Sequence, residues 1–554
     1  MSTLLLRADA GPQIGMGHVM RCLALAEPWL QAGSTVTLLT APRAGGLQPP
    51  SAGSDNPTER RLQTAGTDAL RARAESLSVS LRELSAPPGS PADAAETIAL
   101  AQSLRATWLV LDGYHFDAAF QRAVKAARIR LLVFDDTAQA ARYSADFILN
   151  QNLGATAALY PHRDPTTHLL LGPRFVQLRG EFTRGAAQTS TARLPSLAPT
   201  GGEGRGEGAS PTPHLLVTLG GSDPDNVTAQ VLSILQTIPN LTADIILGPA
   251  NPHAASLQSA IGNRPSAITL HQNPPDLPQL MSRADLAICA GGTTAWELSF
   301  LGVPMLVLVL AENQRPNAER LAQTGAAIHT TIASLSADLR SLLADAPRRA
   351  EMSRRARALV DGLGTFRVWL RMNEDSLHLR PATTDDCRRV WQWANDPAVR
   401  AVSFTSDPIL WEQHTAWFTR KLADANTRLW IAEQAGAPVS EPALGSGEWL
   451  RAGLETGAPP LGQVRFDLEG CIATISVSLD ASRRGKNLGA LLIWTACQKL
   501  FRESAVEAIH AFIKPDNAAS IRAFEKAGFE PAGQTEVKGC AALRFELKRS
   551  AAEP

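Results

Sequence analysis

Short apolar runs alternate along most of this chain with longer stretches whose apolar positions recur at helical spacing. The runs Leu4–Arg7, Val36–Leu39, Trp108–Leu111, Leu131–Phe134 and Phe147–Leu149 predict strands, and Met20–Gln31 and Asp117–Ala127 between them predict helices. The alternation restarts at His214–Leu219 and continues through Asp244–Leu247, Leu286–Ile288 and Met305–Leu310. Strands separated by helices in this way specify parallel α/β sheets, so two Rossmann-like units are expected. From Leu377 the rhythm changes. A strand opening at Leu377–Ala382 leads into a helix carrying Trp391 and Trp393. Antiparallel-looking strands follow at Arg428–Glu433, Leu461–Asp467 and Cys471–Leu479, and then a further helix, Ala490–Leu500.

Stretches rich in Pro, Gly, Ser and small polar residues interrupt the pattern at Pro42 to Thr67, Pro87 to Ala94, Ala186 to Pro213 and Ala435 to Pro460. They bury too little to offset the entropy of ordering and read as loops or linkers. The expected organisation is a Rossmann-like domain over 1–185, a flexible linker over 186–213, a second Rossmann-like domain over 214–373, and an α+β domain over 376–550, with the boundary near Asn373–Ser376. A length of 554 residues suits several cores of this size.

Composition removes several function classes. Lys+Arg and Asp+Glu are equal at 53 each, so no global charge points to nucleic acid. The six cysteines (Cys22, Cys289, Cys387, Cys471, Cys497, Cys540) are scattered without a C-x-x-C pair, which argues against a disulfide framework or a zinc site. No run approaches the length of a membrane span, and Arg7 and Asp9 follow the first apolar residues at once, unlike a signal peptide. A cytoplasmic protein without membrane insertion is expected.

Candidate chemistry sits where strands end. Gly15-Met16-Gly17-His18 lies between the first strand and the first helix, where a loop exposes backbone N–H groups and a positive dipole end to an anion. His18 stands at the mouth of that loop. Read on position alone, it serves equally as a helix-start residue bonded to backbone. Arg21, one turn on, meets either a phosphate or a surface carboxylate. In the second unit, Gly220-Gly221-Ser222-Asp223 and Cys289-Ala290-Gly291-Gly292-Thr293-Thr294-Ala295-Trp296-Glu297 each follow a strand. The amides of Gly292, Thr293 and Thr294 suit a diphosphate. Glu297 suits either two ribose hydroxyls or the helix dipole. The carboxamides of Asn313, Gln314 and Asn317 suit sugar hydroxyls or acetamido groups.

These segments, with Arg7-Ala8-Asp9-Ala10 and Glu312-Asn313-Gln314, resemble the UDP-2,4-diacetamido-2,4,6-trideoxy-β-L-altropyranose hydrolases of pseudaminic acid biosynthesis, in order and over about residues 1–370. The resemblance implies a GT-B fold and metal-independent, inverting hydrolysis in which water attacks the anomeric carbon and UDP leaves. The histidine matching His18 is then the general base, a role suited to imidazole, which exchanges protons near neutral pH. Gly17, Arg21, Gly221, Gly292, Thr293, Thr294, Glu297, Asn313 and Gln314 become substrate contacts. Asp112-Gly113-Tyr114 matches a family Asp-x-Tyr facing the sugar, making Tyr114 a contact, with core packing as its plain alternative.

In the last domain, Arg483-Arg484-Gly485-Lys486-Asn487-Leu488-Gly489 follows a strand and opens a helix, and Asn517 through Gly528-Phe529 reads as a second helix with Asn517 as its start and Gly528 as its end. The pair resembles the GNAT acetyltransferases. That resemblance assigns Arg484, Gly485, Lys486, Asn487 and Gly489 to the pyrophosphate of acetyl-CoA and Asn517 to its pantetheine arm. Asn487 replaces a family glycine, and Asn tolerates left-handed φ better than most residues. Phe524 stands where many members carry a proton-donating tyrosine, so the acetyl-transfer acid and base carry no name. The segments Trp391–Pro397 with Arg400, His414–Phe418 and Gly462–Phe466 resemble the subgroup that acetylates the 4-amino group of UDP-linked amino sugars, the step before the hydrolysis. The alternatives are a GT-B glycosyltransferase, or a non-catalytic nucleotide-sugar-binding module, with an appended acetyltransferase.

Overall fold

The computed structural model describes residues 2–11, 16–41, 68–189, 213–221, 223–239, 241–249, 251–262, 267–435 and 460–549. The glycine-rich run 201–208 of the expected linker, Gly15, Ser222 and residues 436–459 lie outside them. The chain divides into two compact units, Met1–Leu30 with Ser34–Thr365, and Phe366–Pro554 with Gln31–Gly33.

The first unit holds two parallel sheets. One contains β1 (Thr3–Ala8), β2 (Thr35–Thr40), β3 (Ser80–Glu83), β4 (Trp108–Asp112), β5 (Leu131–Phe134), β6 (Phe147–Asn150) and β7 (His168–Leu171) in the order β3-β2-β1-β4-β5-β6-β7. The other contains β8 (His214–Thr218), β9 (Thr242–Leu247), β10 (Ile268–Gln272), β11 (Leu286–Ala290), β12 (Met305–Leu308) and β13 (Ala327–Thr330) in the order β10-β9-β8-β11-β12-β13. Central strands such as Leu4-Leu5-Leu6 and Leu286–Ala290 are buried throughout, as expected of a parallel sheet covered on both faces. Strand order reverses between β1 and β4 in the first sheet and between β8 and β11 in the second. At such a point the neighbouring connections run to opposite faces, leaving a crevice beyond the carboxyl ends of the strands. The sequence motifs at 15–18, 220–223 and 289–297 stand at the carboxyl ends of three of these strands, β1, β8 and β11, and Asp112-Gly113-Tyr114 stands at the end of the fourth, β4.

One loop assignment is overturned. The stretch Pro87–Ala94 runs into a helix, Pro91–Ser103, capped by the Ser90 hydroxyl on the Asp93 amide. Asp93 is fully buried and takes both Arg7 Nε (3.1 Å) and Nη2 (2.8 Å). Proline at the first helical position needs no N–H partner, so a Pro-rich run here signals a helix start rather than a loop. The helix Gly180–Thr189 likewise covers the beginning of the expected linker.

The second unit is a mixed sheet of β14 (Leu377–Pro381), β15 (Thr427–Gln434), β16 (Gly462–Glu469), β17 (Ile472–Leu479), β18 (Ala508–Ile513), β19 (Glu530–Val537) and β20 (Cys540–Lys548), ordered β14-β15-β16-β17-β18-β20-β19. All its pairings are antiparallel except β17 with β18, which run parallel and pair only from Ile472↔Ala508 to Thr474↔His510. The fold is therefore two Rossmann-like domains of GT-B type followed by a GNAT-like mixed-sheet domain. All six cysteines are free. Among the described residues no helix is long and apolar enough to cross a membrane.

Candidate functional site

A cleft of about 360 Å³ lies where the two switch points of the first unit face each other. Gly17, His18, Arg21, Tyr114, Gly221, Gly292, Thr293, Thr294, Glu297, Asn313 and Gln314 all line it, so the sequence-selected residues of the first unit converge on one site. A Cβ built on Gly17 would stand 3.9 Å from the Thr293 hydroxyl, which measures how closely the two loops approach. The turn after β8 is equally tight: a Cβ on Gly248 would fall 2.1 Å from the Gly221 carbonyl, so only glycine fits at 248.

His18 begins the helix Gly17–Gln31 and is buried. Its partner is a carboxylate, not backbone: Nδ1 lies 2.6 Å from Asp112 Oδ1, at the end of β4. Arg21, one turn along the same helix, donates from Nε (2.5 Å) and Nη2 (2.6 Å) to both Asp112 oxygens and from Nη1 to Asp136 at 2.9 Å. The expected surface pairing of Arg21 is thus a buried one. Burial opposes the Asp112 charge, but the facing Arg21 guanidinium and the hydrogen bonds from Arg21 and His18 outweigh it and hold the carboxyl well below the usual range. A carboxylate can only accept, so Nδ1 carries the proton and Nε2 is the ring's free base position.

Tyr114 is 41% exposed, which excludes the core-packing alternative. Its ring stands edge-on to His18 with centroids 5.1 Å apart, and its hydroxyl accepts from Asn313 Nδ2 at 2.9 Å across the cleft. Lost solvation, then the Asp136 charge, pushes this phenol up to about 12. On the opposite wall Gly292 caps the helix Thr293–Leu301 without a side-chain hydrogen bond, leaving the first amides to a ligand. Glu297 accepts from Arg179 Nε at 2.8 Å. Gln314 Oε1 accepts from the Leu310 amide at 3.3 Å. Asn317 donates to the Gly291 carbonyl at 3.0 Å, and its buried Oδ1 has no donor among the described residues.

Asp136 and Arg179 were not singled out by the sequence, and Asp112 was singled out only within the Asp112-Gly113-Tyr114 motif facing the sugar, without its own role as the partner of His18 and Arg21. Asp112 carried a signal, as a carboxylate ending a strand beside the histidine loop. Arg179 carried none, being 118 positions from its partner.

In the second unit the turn between β17 and the helix Leu488–Glu503 has positive φ at Gly485 (78°) and Asn487 (58°), the conformation that Asn tolerates. Asn487 caps the helix by position alone, and its side-chain oxygen accepts from Lys526 Nζ at 2.9 Å. Gly489 packs closely, since a Cβ there would meet Leu479 Cδ1 at 3.3 Å. Asn517 caps the helix Ala518–Lys526 by accepting from the Ser520 amide at 3.1 Å, and Gly528 ends it at φ 93°. Beyond Thr474 and His510 the strands β17 and β18 part, so Ile475–Leu479 presents backbone groups with no sheet partner on that side. An extended ligand entering from the turn can pair with them. This cradle fits the pyrophosphate and extended arm of a coenzyme A thioester. Arg484 departs from expectation: its guanidinium is engaged by Asp396 (3.0 Å) and the Leu479 carbonyl (3.1 Å). Phe524 is buried against Phe529, with centroids 4.9 Å apart.

Comparison with known proteins matches each part separately. Residues 215–362 match the glycosyltransferase family 28 C-terminal domain, and residues 376–530 match the acetyltransferase (GNAT) domain. The spore coat polysaccharide biosynthesis protein SpsG of Bacillus subtilis is 33% identical over 164 residues, 28% of this chain and 48% of SpsG. That match spans about half the length of SpsG. The uncharacterized protein MJ1062 of Methanocaldococcus jannaschii is 20% identical over 94% of this chain and 95% of its own. Aminoglycoside N(6')-acetyltransferase type 1 of Klebsiella pneumoniae is 27% identical over 190 residues, 33% of this chain and 87% of that enzyme. The chain therefore joins a region similar to the glycosyltransferase family 28 C-terminal domain to a region similar to the GNAT acetyltransferase domain.

Proposed function

We propose that the chain is a bifunctional enzyme of pseudaminic acid biosynthesis. Residues 1–185 and 214–373 hydrolyse UDP-2,4-diacetamido-2,4,6-trideoxy-β-L-altropyranose to the free sugar and UDP, and residues 376–550 acetylate the 4-amino group of its precursor. The observation that carries the reading is the His18–Asp112 pair at 2.6 Å, in the same cleft as the uncapped helix start at Thr293 and Glu297. UDP binding alone needs no histidine held by a buried carboxylate; activating water does.

His18 Nε2 takes a proton from water as its oxygen bonds to the anomeric carbon and the bond from that carbon to the diphosphate oxygen breaks, inverting configuration. Amides of Gly292, Thr293 and Thr294 and the helix dipole stabilise the departing diphosphate. In the other domain the neutral amine displaces coenzyme A from the acetyl thioester: the nitrogen–carbonyl bond forms, the carbon–sulfur bond breaks, and the proton lost by nitrogen ends on the sulfur, giving an amide and free thiol. The turn Arg484–Gly489 and Asn517 hold the coenzyme, whose bound form supplies the activated acetyl group. The relatives support both halves in kind, one named for spore coat polysaccharide biosynthesis and one for N-acetylation of an aminoglycoside.

The test is mass spectrometry of the full chain incubated with acetyl-CoA and UDP-4-amino-4,6-dideoxy-β-L-AltNAc, with EDTA present. Acetylation followed by UDP and free sugar is expected. Acetylation without release overturns the hydrolase assignment, and release that requires added divalent cation overturns the metal-independent step. The family 28 match favours a second reading, a glycosyltransferase. Its distinguishing result is UDP release only when a sugar or lipid acceptor is added.

A further inference from the structure

Glu297 sits in the nucleotide wall of the cleft, one turn after the amides assigned to the diphosphate. A bare carboxylate there repels the anion that those amides attract. Arg179 removes that conflict. Its Nε donates to Glu297 Oε1 at 2.8 Å, its Nη1 lies 2.9 Å from Glu181 Oε1, and its guanidinium lies over the Phe182 ring at 4.9 Å. Three contacts fix the fork of this arginine, and both members of the Arg179–Glu297 pair are largely enclosed. No protein donor among the described residues reaches Glu297 Oε2, so one oxygen is committed to Arg179 and the other is left to a ligand, on a side chain that lines the cleft.

Arg179 also belongs to a different part of the fold from Glu297. It precedes the helix Gly180–Thr189, whose first amide and Arg184 bind Glu27 at 2.8 and 2.7 Å. Glu27 lies on the helix that carries His18 and Arg21.

We propose that Arg179 is a positioning residue for nucleotide specificity. It neutralises Glu297 and presents the free carboxylate oxygen to the ribose hydroxyls of a nucleoside diphosphate. The inference rests on the nucleotide reading of Glu297 above. A planar guanidinium held on several sides orients its partner in a way that a lysine ammonium cannot.

The experiment is calorimetric titration of the full chain with UDP and with 2′-deoxy-UDP, using wild type, Arg179→Gln and Arg179→Lys. Wild type is expected to favour UDP by about tenfold or more, the worth of a hydrogen bond to a charged group. Arg179→Gln is expected to bind UDP about tenfold more weakly and to lose most of the preference, with Arg179→Lys recovering part of each. A purely structural role would weaken both ligands alike, so an unchanged UDP to 2′-deoxy-UDP ratio in Arg179→Gln overturns the proposal. If that variant fails to fold, an unchanged ratio in Arg179→Lys overturns it instead. Wild type that binds neither ligand overturns the nucleotide reading itself, a result distinct from either.

Discussion

At the residue scale, the pairing of His18 with Asp112 sets the clearest expectations. His18→Ala should lower kcat for UDP release by about 100-fold or more while KM changes little, the signature of a lost general base. Asp112→Asn should also fall by about 100-fold or more, because an amide can donate to Nδ1 and favour the wrong tautomer. Steady-state UDP release by both variants, with UDP binding as the control for folding, checks this. The protein's three tyrosines give a second expectation. Burial comes first for each, and it pushes all three phenols up: Tyr114 to about 12, Tyr143 further through its hydrogen bond to Asp135, and Tyr160 further through the Asp135 charge. Raised folded values mean stability that is complete below the unfolded value of about 10 and is lost as pH climbs toward the folded values. Ultraviolet titration should therefore show almost no tyrosinate in the native protein at about pH 10.5, and prompt ionisation once denaturant is added. The motif residues were legible one by one. Their partners were not, because Asp112 and Arg21 are 91 positions apart and nothing local marks the bond.

At the element scale, the turn before the helix Leu488–Glu503 depends on backbone conformation more than on packing. Gly485 has φ 78°, and a Cβ there would meet no atom within 4 Å. Gly485→Val should therefore act through the left-handed conformation alone, costing about 1–2 kcal/mol and raising KM for acetyl-CoA by about tenfold. UDP release from the already acetylated sugar should be unchanged, and assaying the two half-reactions separately checks both outcomes. Strands in the middle of sheets were legible as continuous apolar runs. The edge strands Ser80–Glu83 and Ile268–Gln272 were not, because a strand covered on one side keeps polar, half-exposed residues that read as loop. The strand His168–Leu171 escaped for a related reason, its short apolar core beginning with an exposed histidine. Pro87–Ala94 misled in the other direction, since proline marks helix starts as readily as loops.

At the scale of the whole molecule, the two half-reactions should be separable. His18→Ala should still acetylate the amino sugar, and Gly485→Val should still hydrolyse the acetylated one. At acetyl-CoA concentrations well below the raised KM of Gly485→Val, an equimolar mixture of the two variants should carry the precursor through to free sugar faster than Gly485→Val alone, because the intermediate leaves one site before entering the next. Product formation by the mixture, compared with Gly485→Val alone, checks this; a mixture that stops at the acetylated nucleotide sugar would require direct transfer within one chain. The sequence by itself determined the alternation of strand and helix, the change to a mixed sheet after Leu377, and which loops end in glycines, His18 and Glu297, because periodicity and turn chemistry are local properties. Only the tertiary structure decided that these loops share one cleft, that Asp112 fixes the His18 tautomer, that Arg179 occupies one oxygen of Glu297, and that Arg484 is already paired with Asp396. Each of those contacts joins residues far apart in the chain, and burial and charge pairing there depend on how strands order within a sheet rather than on neighbours in sequence.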